Sequence, residues 1–585
     1  MTRRLPETLQ AAILQQLESR PEARALAFPD ADGKFTWLSR SEVLEQARSY
    51  AQALAYLGCR PGDVCVLVRP SDHTCALLLL GILLRGAQPL LIAPPVIRQG
   101  VQSSLVEIIQ GVVGRVRPAL VVATSALRSM ERELVAACPQ TRIVFGNADL
   151  QERDEEADVA VLRHPADLAA LQLTSGTTGI PRVCAWRQRD VMAALEGMRL
   201  AMRLSEEDVC FNWTPLYHDM GLVNNFLLCL TQGVPLALLA PTEFLRRPAR
   251  WLCGLQEVGA SITWSPNFGF AITAQRVQDE QLEGVNLKNV RAFWNAAEKV
   301  HRHTMDEFAR RFSGFGLRRE ALKTNFGCAE NVGGATFSGI EEEFRWERVA
   351  TVALQEEGIA RPPEGNESAQ EIVGVGRAVP GLQLRIESPD GELLADGHVG
   401  EIVLETPSRM QEYLGDAEAT RLAVVGEGLH TGDLGYLRDG ELFWAGRVQE
   451  RMNVRGRKLD PSEFERTLLR IPGLRQGCFA VFGVDDLQLG TQRPVLVSEL
   501  REPVTRPYED ILSEIREKIF DDLGVVLDDV LLVGPGRLPK TSSGKRRHRH
   551  FRELYLQRRL EPLVSSRKGS VGSPSVARPS ENTSG

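Results

Sequence analysis

Short apolar segments alternate with helical patterns along most of the chain, up to about Val373. A helical pattern at Arg40 to Leu57 precedes a strand-like segment at Val64 to Val68. An apolar helix at Cys75 to Leu84 precedes another strand-like segment at Pro89 to Ile92. Such alternation is typical of parallel sheets whose faces are covered by helices. The sequence therefore predicts a large α/β body.

Composition places the chain among ordinary globular proteins of several domains. Its 585 residues allow about three or four compact units of roughly 150 residues each. Hydrophobic residues make up 43% and charged residues 25%, which are average values. The net charge of −7 argues against a surface that binds nucleic acid throughout. The apolar run at Cys75 to Leu84 is far shorter than the roughly 20 residues that cross a bilayer, so we expect no nucleic-acid partner and no membrane span.

The ten cysteines include no C-x-x-C pair, so neither a zinc knuckle nor a disulfide framework is expected. The N-terminus has no continuous apolar stretch like that of a signal peptide, and its Leu and Ile spacing predicts an amphipathic helix. We therefore expect a reducing, cytoplasmic compartment.

The pattern of expected strands and helices changes twice towards the C-terminus. From about Val373, short alternating strands with Gly and Asp turns indicate a small β-rich unit, and after Gly446 a shorter α/β pattern begins. These changes predict an N-terminal domain at 1–446 and a C-terminal domain at 447–561. Residues 562–585 are dominated by Ser, Gly and Pro, so we expect a disordered tail.

The sharpest local signal is the loop LTSGTTGIPR, from Leu173 to Arg182. Its hydroxyls and backbone N–H groups are suited to phosphate oxygens, and its glycines allow close approach. It is no Walker loop, because no G-K-[ST] ends it. GVGRAVPG is a poor dinucleotide fingerprint, since Pro380 interrupts any helix. A solvated turn would explain an isolated loop of this kind equally well.

Further segments match, in order, the core motifs of the adenylate-forming superfamily of acyl-CoA synthetases, peptide-synthetase adenylation domains and luciferases. The resemblance covers roughly residues 5 to 560. Besides the loop, it rests on five motifs: TPLYHDMGL (Thr214 to Leu222), NFGCAENVGG (Asn325 to Gly334), HTGDLGYL (His430 to Leu437), GRVQERMNVRGRKLDPSEFE (Gly446 to Glu465) and LPKTSSGKRR (Leu538 to Arg547).

The resemblance implies an α/β fold. The large N-terminal domain would contain two α/β sheet subdomains and a small β subdomain, followed by a small mobile α+β C-terminal domain hinged near Glu450. It also implies that a carboxylate attacks the α-phosphorus of ATP in the presence of Mg²⁺. That reaction brings two anions together, so cations and N–H donors are required at the site.

The resemblance assigns roles by position. It implies catalytic roles for Lys545, His218 and Glu330, with His218 and Asp219 beside the carboxylate end. It implies Mg²⁺ ligation by Glu330 and Thr178. Nucleotide contacts are implied for Thr174, Ser175, Gly176, Thr177, Thr178 and Gly179 at the pyrophosphate, for Asn325 and Gly327, and for Asp433 and Arg447 at the ribose.

Structural explanations compete with some of these roles. Asp433 would also suit an Asx turn, Glu330 a helix start, and His218 a packed polar site. Lys545 lies in a run from Lys540 to Glu561 that is rich in Lys and Arg, and such a run is often a solvated face or a nucleic-acid patch.

Three stretches resemble fatty acyl-AMP ligases in particular: WSPNFGFAI (Trp264 to Ile272), WNAAEKV (Trp294 to Val300) and RFSGFGLRREALKTNFGCAE (Arg311 to Glu330). The long spacer between Glu330 and Gly376 resembles the insertion of those ligases, which restrains the C-terminal domain and disfavours the CoA reaction. We call residues 337–372 the connector. A neutral surface excursion is the alternative.

The sequence departs from the superfamily pattern at several positions. Arg182 and Glu450 keep the charge of the expected Lys and Asp, Ala296 stands where Gly is expected beside the adenine, and Asn453 and Asp460 replace apolar or aromatic residues. None of these changes removes an essential donor.

The resemblance thus predicts activation of a carboxylic, most simply fatty, acid to acyl-AMP with ATP and Mg²⁺. Transfer to the phosphopantetheine of an acyl carrier protein would follow. The alternatives are an acyl-CoA synthetase and a non-catalytic protein that binds a nucleotide or acyl-adenylate. Candidates for the acyl pocket, which core packing would explain equally well, are Trp213, Trp264, Asn267, Phe268, Phe270 and Trp294.

Overall fold

The computed structural model describes residues 6–94, 102–146, 150, 163–174, 181–448, 452–454, 457–461, 463–486, 491–538 and 547–567. Within these ranges the α-helices are α1 Leu9–Glu18, α2 Arg40–Tyr56, α3 His73–Leu84, α4 Gln102–Val116, α5 Glu131–Ala137, α6 Gln188–Ala201, α7 Asp219–Gly221, α8 Leu228–Gln232, α9 Pro241–Arg246, α10 Ala249–Val258, α11 Asn267–Arg276, α12 Arg302–Phe312, α13 Ala417–Ala423, α14 Glu463–Leu468, α15 Tyr508–Leu523 and α16 His548–Leu556.

The strands are β1 Arg24–Pro29, β2 Phe35–Ser39, β3 Val64–Val68, β4 Gln88–Ile92, β5 Leu120–Ala123, β6 Arg142–Phe145, β7 Leu168–Leu173, β8 Val183–Arg187, β9 Cys210–Asn212, β10 Leu236–Leu238, β11 Ile262–Ser265, β12 Ala292–Asn295, β13 Leu322–Cys328, β14 Gly333–Phe337, β15 Trp346–Ala350, β16 Ala369–Val373, β17 Arg377–Ala378, β18 Gln383–Glu387, β19 Gly400–Glu405, β20 Glu412–Tyr413, β21 Val424–Val425, β22 Gly428–Arg438, β23 Glu441–Arg447, β24 Met452–Val454, β25 Arg457–Leu459, β26 Leu474–Asp486, β27 Thr491–Leu500, β28 Asp529–Val533 and β29 Val564–Arg567.

Two large sheets form the α/β body. The nine-stranded sheet has the order β17-β14-β13-β12-β11-β9-β10-β1-β2, and its central strands from β13 to β1 are parallel. The seven-stranded sheet has the order β20-β8-β7-β4-β3-β5-β6. The apolar helix α3 has almost no exposed surface from Cys75 to Leu84 and belongs to the largest hydrophobic core cluster. This body therefore has the alternation of strands and helices that the sequence predicts.

A five-stranded antiparallel sheet follows, with the order β18-β19-β22-β21 and β23 paired to β22. The connector is folded against it. Strands β15 and β16 form an antiparallel hairpin, joined in part by a π-helical turn at Ala353–Glu357. The side chains of Val349, Leu354 and Ile372 pack in one cluster with Tyr436 and Phe443 of β22 and β23.

Beyond β23, residues 452–567 form what we call the C-terminal segment. Strands β26 to β29 make a four-stranded sheet, and α14 and α15 pack on one of its faces. This sheet includes residues that the sequence analysis assigned to a disordered tail. Residues 564–567 are not a tail, because β29 pairs antiparallel with β28 and the Leu563 N–H donates to the Leu532 carbonyl at 2.8 Å. Val564 also packs partly into the core of the segment, whereas residues 568–585 lie outside the described ranges.

A search of the described residues finds no helix with the length and apolar character needed to span a membrane.

Candidate active site

The predicted phosphate loop joins two antiparallel neighbours, β7 and β8. It is closed at its base by the Thr174 N–H, which donates to the Arg182 carbonyl at 2.9 Å. Arg182 lies 3.5 Å from Asp416 and stacks over the Tyr413 ring at 5.1 Å. The five loop positions Ser175, Gly176, Thr177, Thr178 and Gly179 lie outside the described residues, as do Glu450 and Lys545.

His218 caps a short helix after β9. Its Nδ1 lies 2.6 Å from Asp219 Oδ1, and the Met220 N–H lies within hydrogen-bond distance of both atoms, 3.1 Å from Nδ1 and 2.8 Å from Oδ1. These contacts orient the ring, which is mostly buried. The helix continues through a π-helical stretch at Leu222–Leu227, a distortion that is frequent at functional sites. Gly221 is required here because a Cβ would lie 2.2 Å from the Pro215 carbonyl oxygen.

Glu330 lies in a 3₁₀ turn that follows β13. Its Oε1 accepts a hydrogen bond from the Tyr413 hydroxyl at 2.6 Å. Burial, followed by the charge of Glu330, raises the pKa of Tyr413, so the hydroxyl stays protonated and donates. Two residues further on, Val332 has a φ of +55°. A β-branched residue in this left-handed region is strained, and such strain is concentrated at functional sites.

Asp433 and Arg447 are direct register partners on β22 and β23. Asp433 Oδ1 accepts hydrogen bonds from Trp444 Nε1 at 2.9 Å and from Arg447 Nε at 3.2 Å. The Asp433 side chain is nearly buried, whereas Arg447 is half-buried. Two cationic or N–H donors therefore hold this carboxylate in one orientation.

Three predicted motifs converge around the Cys328 thiol. Burial, followed by the negative charges of Glu330, Asp433 and Asp219, raises the pKa of this thiol well above its usual value. These carboxylates come from three separate motifs, so the fold brings together residues that are more than 200 positions apart. The thiol stays protonated at neutral pH and is no nucleophile.

A cavity of about 310 Å³ lies where the nine-stranded sheet, the five-stranded sheet and the C-terminal segment meet. Four predicted nucleotide-binding residues line it: Asn325, Gly327, Asp433 and Arg447. Phe326 and Trp444 line it beside them, and His301, Glu465 and His548 line its other side.

The cavity wall has the features that a nucleotide needs. Asn325 is buried, and its Oδ1 has no hydrogen-bond partner among the described residues. A buried acceptor without a partner is costly. At Gly327 a Cβ would lie 2.3 Å from the Gly333 carbonyl oxygen, so only glycine fits this close approach of β13 and β14.

The acyl-pocket candidates divide into two groups. Asn267 and Phe268 line the cavity at the start of α11. Asn267 Oδ1 accepts hydrogen bonds from the His301 N–H at 3.1 Å and from Asn295 Nδ2 at 3.2 Å. The other four candidates have at most 2% exposed surface and belong to the hydrophobic core, namely Trp213, Trp264, Phe270 and Trp294.

Two residues that hold the predicted side chains were missed by sequence reasoning. Tyr413 is 83 positions from Glu330, and no local pattern signals the contact. Trp444 lies on β23, the strand that ends at Arg447. Its position two residues before the motif that begins at Gly446 is the sequence signal that could have indicated it.

Backbone strain lies beside the cavity at Ala297, whose φ is +70°. Sequence comparison expected glycine at Ala296, but Ala296 does not have a positive φ and the left-handed residue is its neighbour. The left-handed region costs an alanine about 1–2 kcal/mol. Glycine loses about 0.5–1 kcal/mol more than alanine in backbone entropy on folding.

We expect Ala297→Gly to raise the free energy of unfolding by about 0.5–1 kcal/mol, the difference between these two effects. Urea unfolding followed by tryptophan fluorescence measures this change. Ala296→Gly is the matched control and should lower the free energy of unfolding, because it adds backbone entropy to the unfolded chain and removes a buried methyl group. Equal losses in both variants would contradict the proposed strain.

Comparison with known proteins identifies the family to which this chain belongs. The AMP-binding enzyme family matches residues 13–414, more than half of the chain, so the chain belongs to that family. The predicted membership of the adenylate-forming superfamily is thereby confirmed.

The chain is also similar to two fatty-acid ligases. The chain is 30% identical over 423 residues to the medium-chain-fatty-acid–[acyl-carrier-protein] ligase JamA of Moorena producens, covering 69% of this chain and 71% of that protein. It is 28% identical over 583 residues to the long-chain-fatty-acid–AMP ligase FadD26 of Mycobacterium marinum, covering 94% and 97%.

A solved structure from a study of fatty acyl-adenylate ligases from E. coli and L. pneumophila matches with a TM-score of 0.87 and 25% identity. It covers 94% of this chain and 98% of that chain. The predicted α/β fold class and the predicted resemblance to fatty acyl-AMP ligases are confirmed.

Proposed function

We propose that this protein is a fatty acyl-AMP ligase that passes its acyl group to a carrier protein. In the first step a carboxylate oxygen of the acid bonds to the α-phosphorus of ATP. The bond from that phosphorus to the bridging oxygen breaks, and pyrophosphate leaves. In the second step a phosphopantetheine thiol attacks the acyl carbon, the C–O bond to AMP breaks, and the thiol proton goes to solvent.

The observation that carries this proposal is the convergence of Asp433, Arg447 and Asn325 on one cavity. Asp433 would accept hydrogen bonds from the ribose hydroxyls, and Arg447 would contact the ribose from the opposite strand. Asn325, a buried residue of the cavity wall, would contact the nucleotide beside them. The names of the relatives support a fatty acid as the substrate.

We assign the contacts with the acid carboxylate and the ATP phosphates to other residues. The loop from Thr174 to Gly179 would bind the pyrophosphate through backbone N–H groups and hydroxyls. His218, oriented through Nδ1, would contact the acid beside its carboxylate. Lys545 would neutralise the carboxylate and α-phosphate oxygens. It lies three positions before His548, which lines the cavity.

Mg²⁺ would be held by Glu330 and Thr178. Among the described residues no group of three His, Cys, Asp or Glu side chains forms a metal cage. Mg²⁺ is commonly bound by one or two carboxylates together with substrate phosphates, and Glu330, fixed by Tyr413, fits that pattern. When bound, the ion supplies positive charge to the phosphate oxygens.

The connector supports a carrier protein over free CoA as the acceptor. Gln355 in its π-helical turn hydrogen-bonds to Glu463 of the C-terminal segment. Glu463 also accepts from the Asp460 N–H at 2.7 Å. The contact between Gln355 and Glu463 would restrain rotation of the segment about a hinge near Glu450. A partner that adds docking energy through the basic run at Lys540 to Arg559 would offset the restraint.

The compartment belongs to the same proposal. None of the ten cysteines, all of which are described, forms a disulfide bond, which fits a reducing cytoplasm.

The deciding experiment is acid-dependent exchange of labelled pyrophosphate into ATP, across acids of graded length, with and without CoA and holo carrier protein. We expect exchange without CoA, little acyl-CoA, and acyl transfer to the carrier protein that weakens as salt rises. Acyl-CoA made as fast as acyl-AMP would assign an acyl-CoA synthetase. Nucleotide binding without exchange would assign a non-catalytic binding protein.

The pH dependence of transfer tests the restraint at Glu463. Burial raises the pKa of this carboxyl to about 7, above its ordinary value of about 4.3. The docked arrangement therefore holds a proton that a released, solvated carboxylate gives up. Docking is therefore most favoured below about pH 4.3, weakens by up to about tenfold per pH unit between about pH 4.3 and 7, and has lost this contribution above about pH 7.

We expect Glu463→Gln to remove this dependence, because its side chain is neutral at every pH. The measurement is the wild-type to variant ratio of acyl transfer rates to the carrier protein at pH 6.5 and 8.5. The ratio cancels the titration of the acceptor thiol and should rise with pH. A ratio that stays constant would show that Glu463 does not restrain the segment.

A further inference from the structure

The first turn of α12 lies where the cavity, the connector and the C-terminal segment meet. His301, which caps this helix, lies with its Nε2 3.3 Å from Glu465 Oε2 of α14. The backbone N–H of His301 donates to Asn267 Oδ1 in the cavity wall. Both members of the His301–Glu465 pair are at most 20% exposed, and partly buried pairs are screened less than surface pairs.

The next residue, Arg302, contacts the connector hairpin. Arg302 Nη1 lies 2.7 Å from Glu371 Oε1, and the guanidinium stacks 3.3 Å from the centre of the Trp346 ring. Trp346 and Glu371 belong to the two strands of the hairpin, β15 and β16. Consecutive residues of one helical turn therefore contact the C-terminal segment and the connector.

The hairpin and the C-terminal segment are thus linked in two ways. One is the direct contact of Gln355 with Glu463. The other runs through α12, from Trp346 and Glu371 to Arg302, and from His301 to Glu465. Because His301 and Arg302 are adjacent where α12 begins, a shift of α14 would act on both of their contacts.

We propose that His301 is a positioning residue: its contact with Glu465 holds the C-terminal segment over the cavity in the arrangement that forms the adenylate. Arg302 anchors the same turn to the connector. This rests on the proposed function. The contact has to break before the segment leaves the cavity, so it opposes the arrangement that serves the thiol.

The test compares two half-reactions in His301→Gln, Glu465→Gln and the double variant. We expect pyrophosphate exchange to fall roughly tenfold in each single variant, the size typical of one coupled contact. Transfer from supplied acyl-AMP to a holo carrier protein should be unchanged or faster. The double variant should be no worse than the poorer single variant.

His301→Arg places a donor and a positive charge opposite Glu465 and should recover exchange. Arg20→Gln is the matched control, because it removes an exposed ion pair with Glu206 at 2.8 Å, remote from the segment. It should change neither half-reaction.

Equal losses in both half-reactions would overturn the proposal, and so would single-variant effects that add. Hydrogen exchange at the α14 amides provides a readout without catalysis. His301→Gln should speed that exchange, and an unchanged rate also refutes the contact. If the wild-type protein shows no acid-dependent pyrophosphate exchange, the proposed function fails, while the amide measurement still decides on the contact.

Discussion

Lys545→Ala should lower the rate of acyl-AMP formation by about 10²- to 10³-fold, the typical cost of losing one preorganised donor to developing charge. The attack of a carboxylate on the α-phosphate concentrates negative charge that a lysine would neutralise. Acid-dependent pyrophosphate exchange at saturating ATP and acid measures the loss. The melting temperature should not change, because the flanking Ser and Gly residues have no apolar side chains to bury.

Lys540→Ala is the matched control for this variant. It removes the same charge from the same basic run, five positions earlier. A general electrostatic role of the run would make both variants equally slow, and a role specific to Lys545 affects only one of them. More than half of the wild-type rate in Lys545→Ala would refute its assignment.

Local structure was readable from the sequence because hydrophobic patterning decides it. The predicted helix at Arg40 to Leu57 is α2, with a capping box between Ser39 and Glu42 at its start. The predicted strand at Val64 to Val68 has the same bounds in the structure. Errors of one or two residues arise at the ends of elements: the predicted strand at Pro89 to Ile92 begins at Gln88, and the predicted helix at Cys75 to Leu84 begins at His73.

The resemblance predicted candidate site residues because most of them lie in motifs of fixed order, and their roles stay predictions. What the sequence did not reveal is which residues hold them. Tyr413 reaches Glu330 only because β20 pairs with β8 at the edge of the seven-stranded sheet. Contacts of that kind depend on sheet order, which no local pattern encodes.

Aromatic residues illustrate the same limit. Trp264 and Trp294 are register partners on β11 and β12 and stack at 6.1 Å with no exposed surface. The sequence shows that these two residues lie in strand-like segments near the motifs. It does not show whether a ring faces a cavity or fills the core. Likewise, a short Ser-rich stretch becomes β29 because the edge of β28 offers backbone partners.

Asp433→Ala should raise the apparent KM for ATP by about 10- to 100-fold, since hydrogen bonds to a charged group contribute about 1.5–3 kcal/mol. The proposed ribose contact exists in the bound ground state as well as in the transition state, so the loss should be in KM for ATP more than in kcat. The KM for the acid should change less, because the acid would contact His218 and not Asp433. Steady-state kinetics with each substrate varied in turn gives both constants.

The structure adds a complication that the kinetics must separate. Asp433 also fixes Trp444 and Arg447, so its removal could act by loosening the cavity wall. Trp444→Phe removes one of these contacts while leaving the carboxylate in place. If the ribose contact is the cause, Trp444→Phe should shift the KM for ATP only a few-fold. An equal shift in both variants, or equal shifts of the two KM values in Asp433→Ala, would make Asp433 a structural residue of the β22–β23 pair.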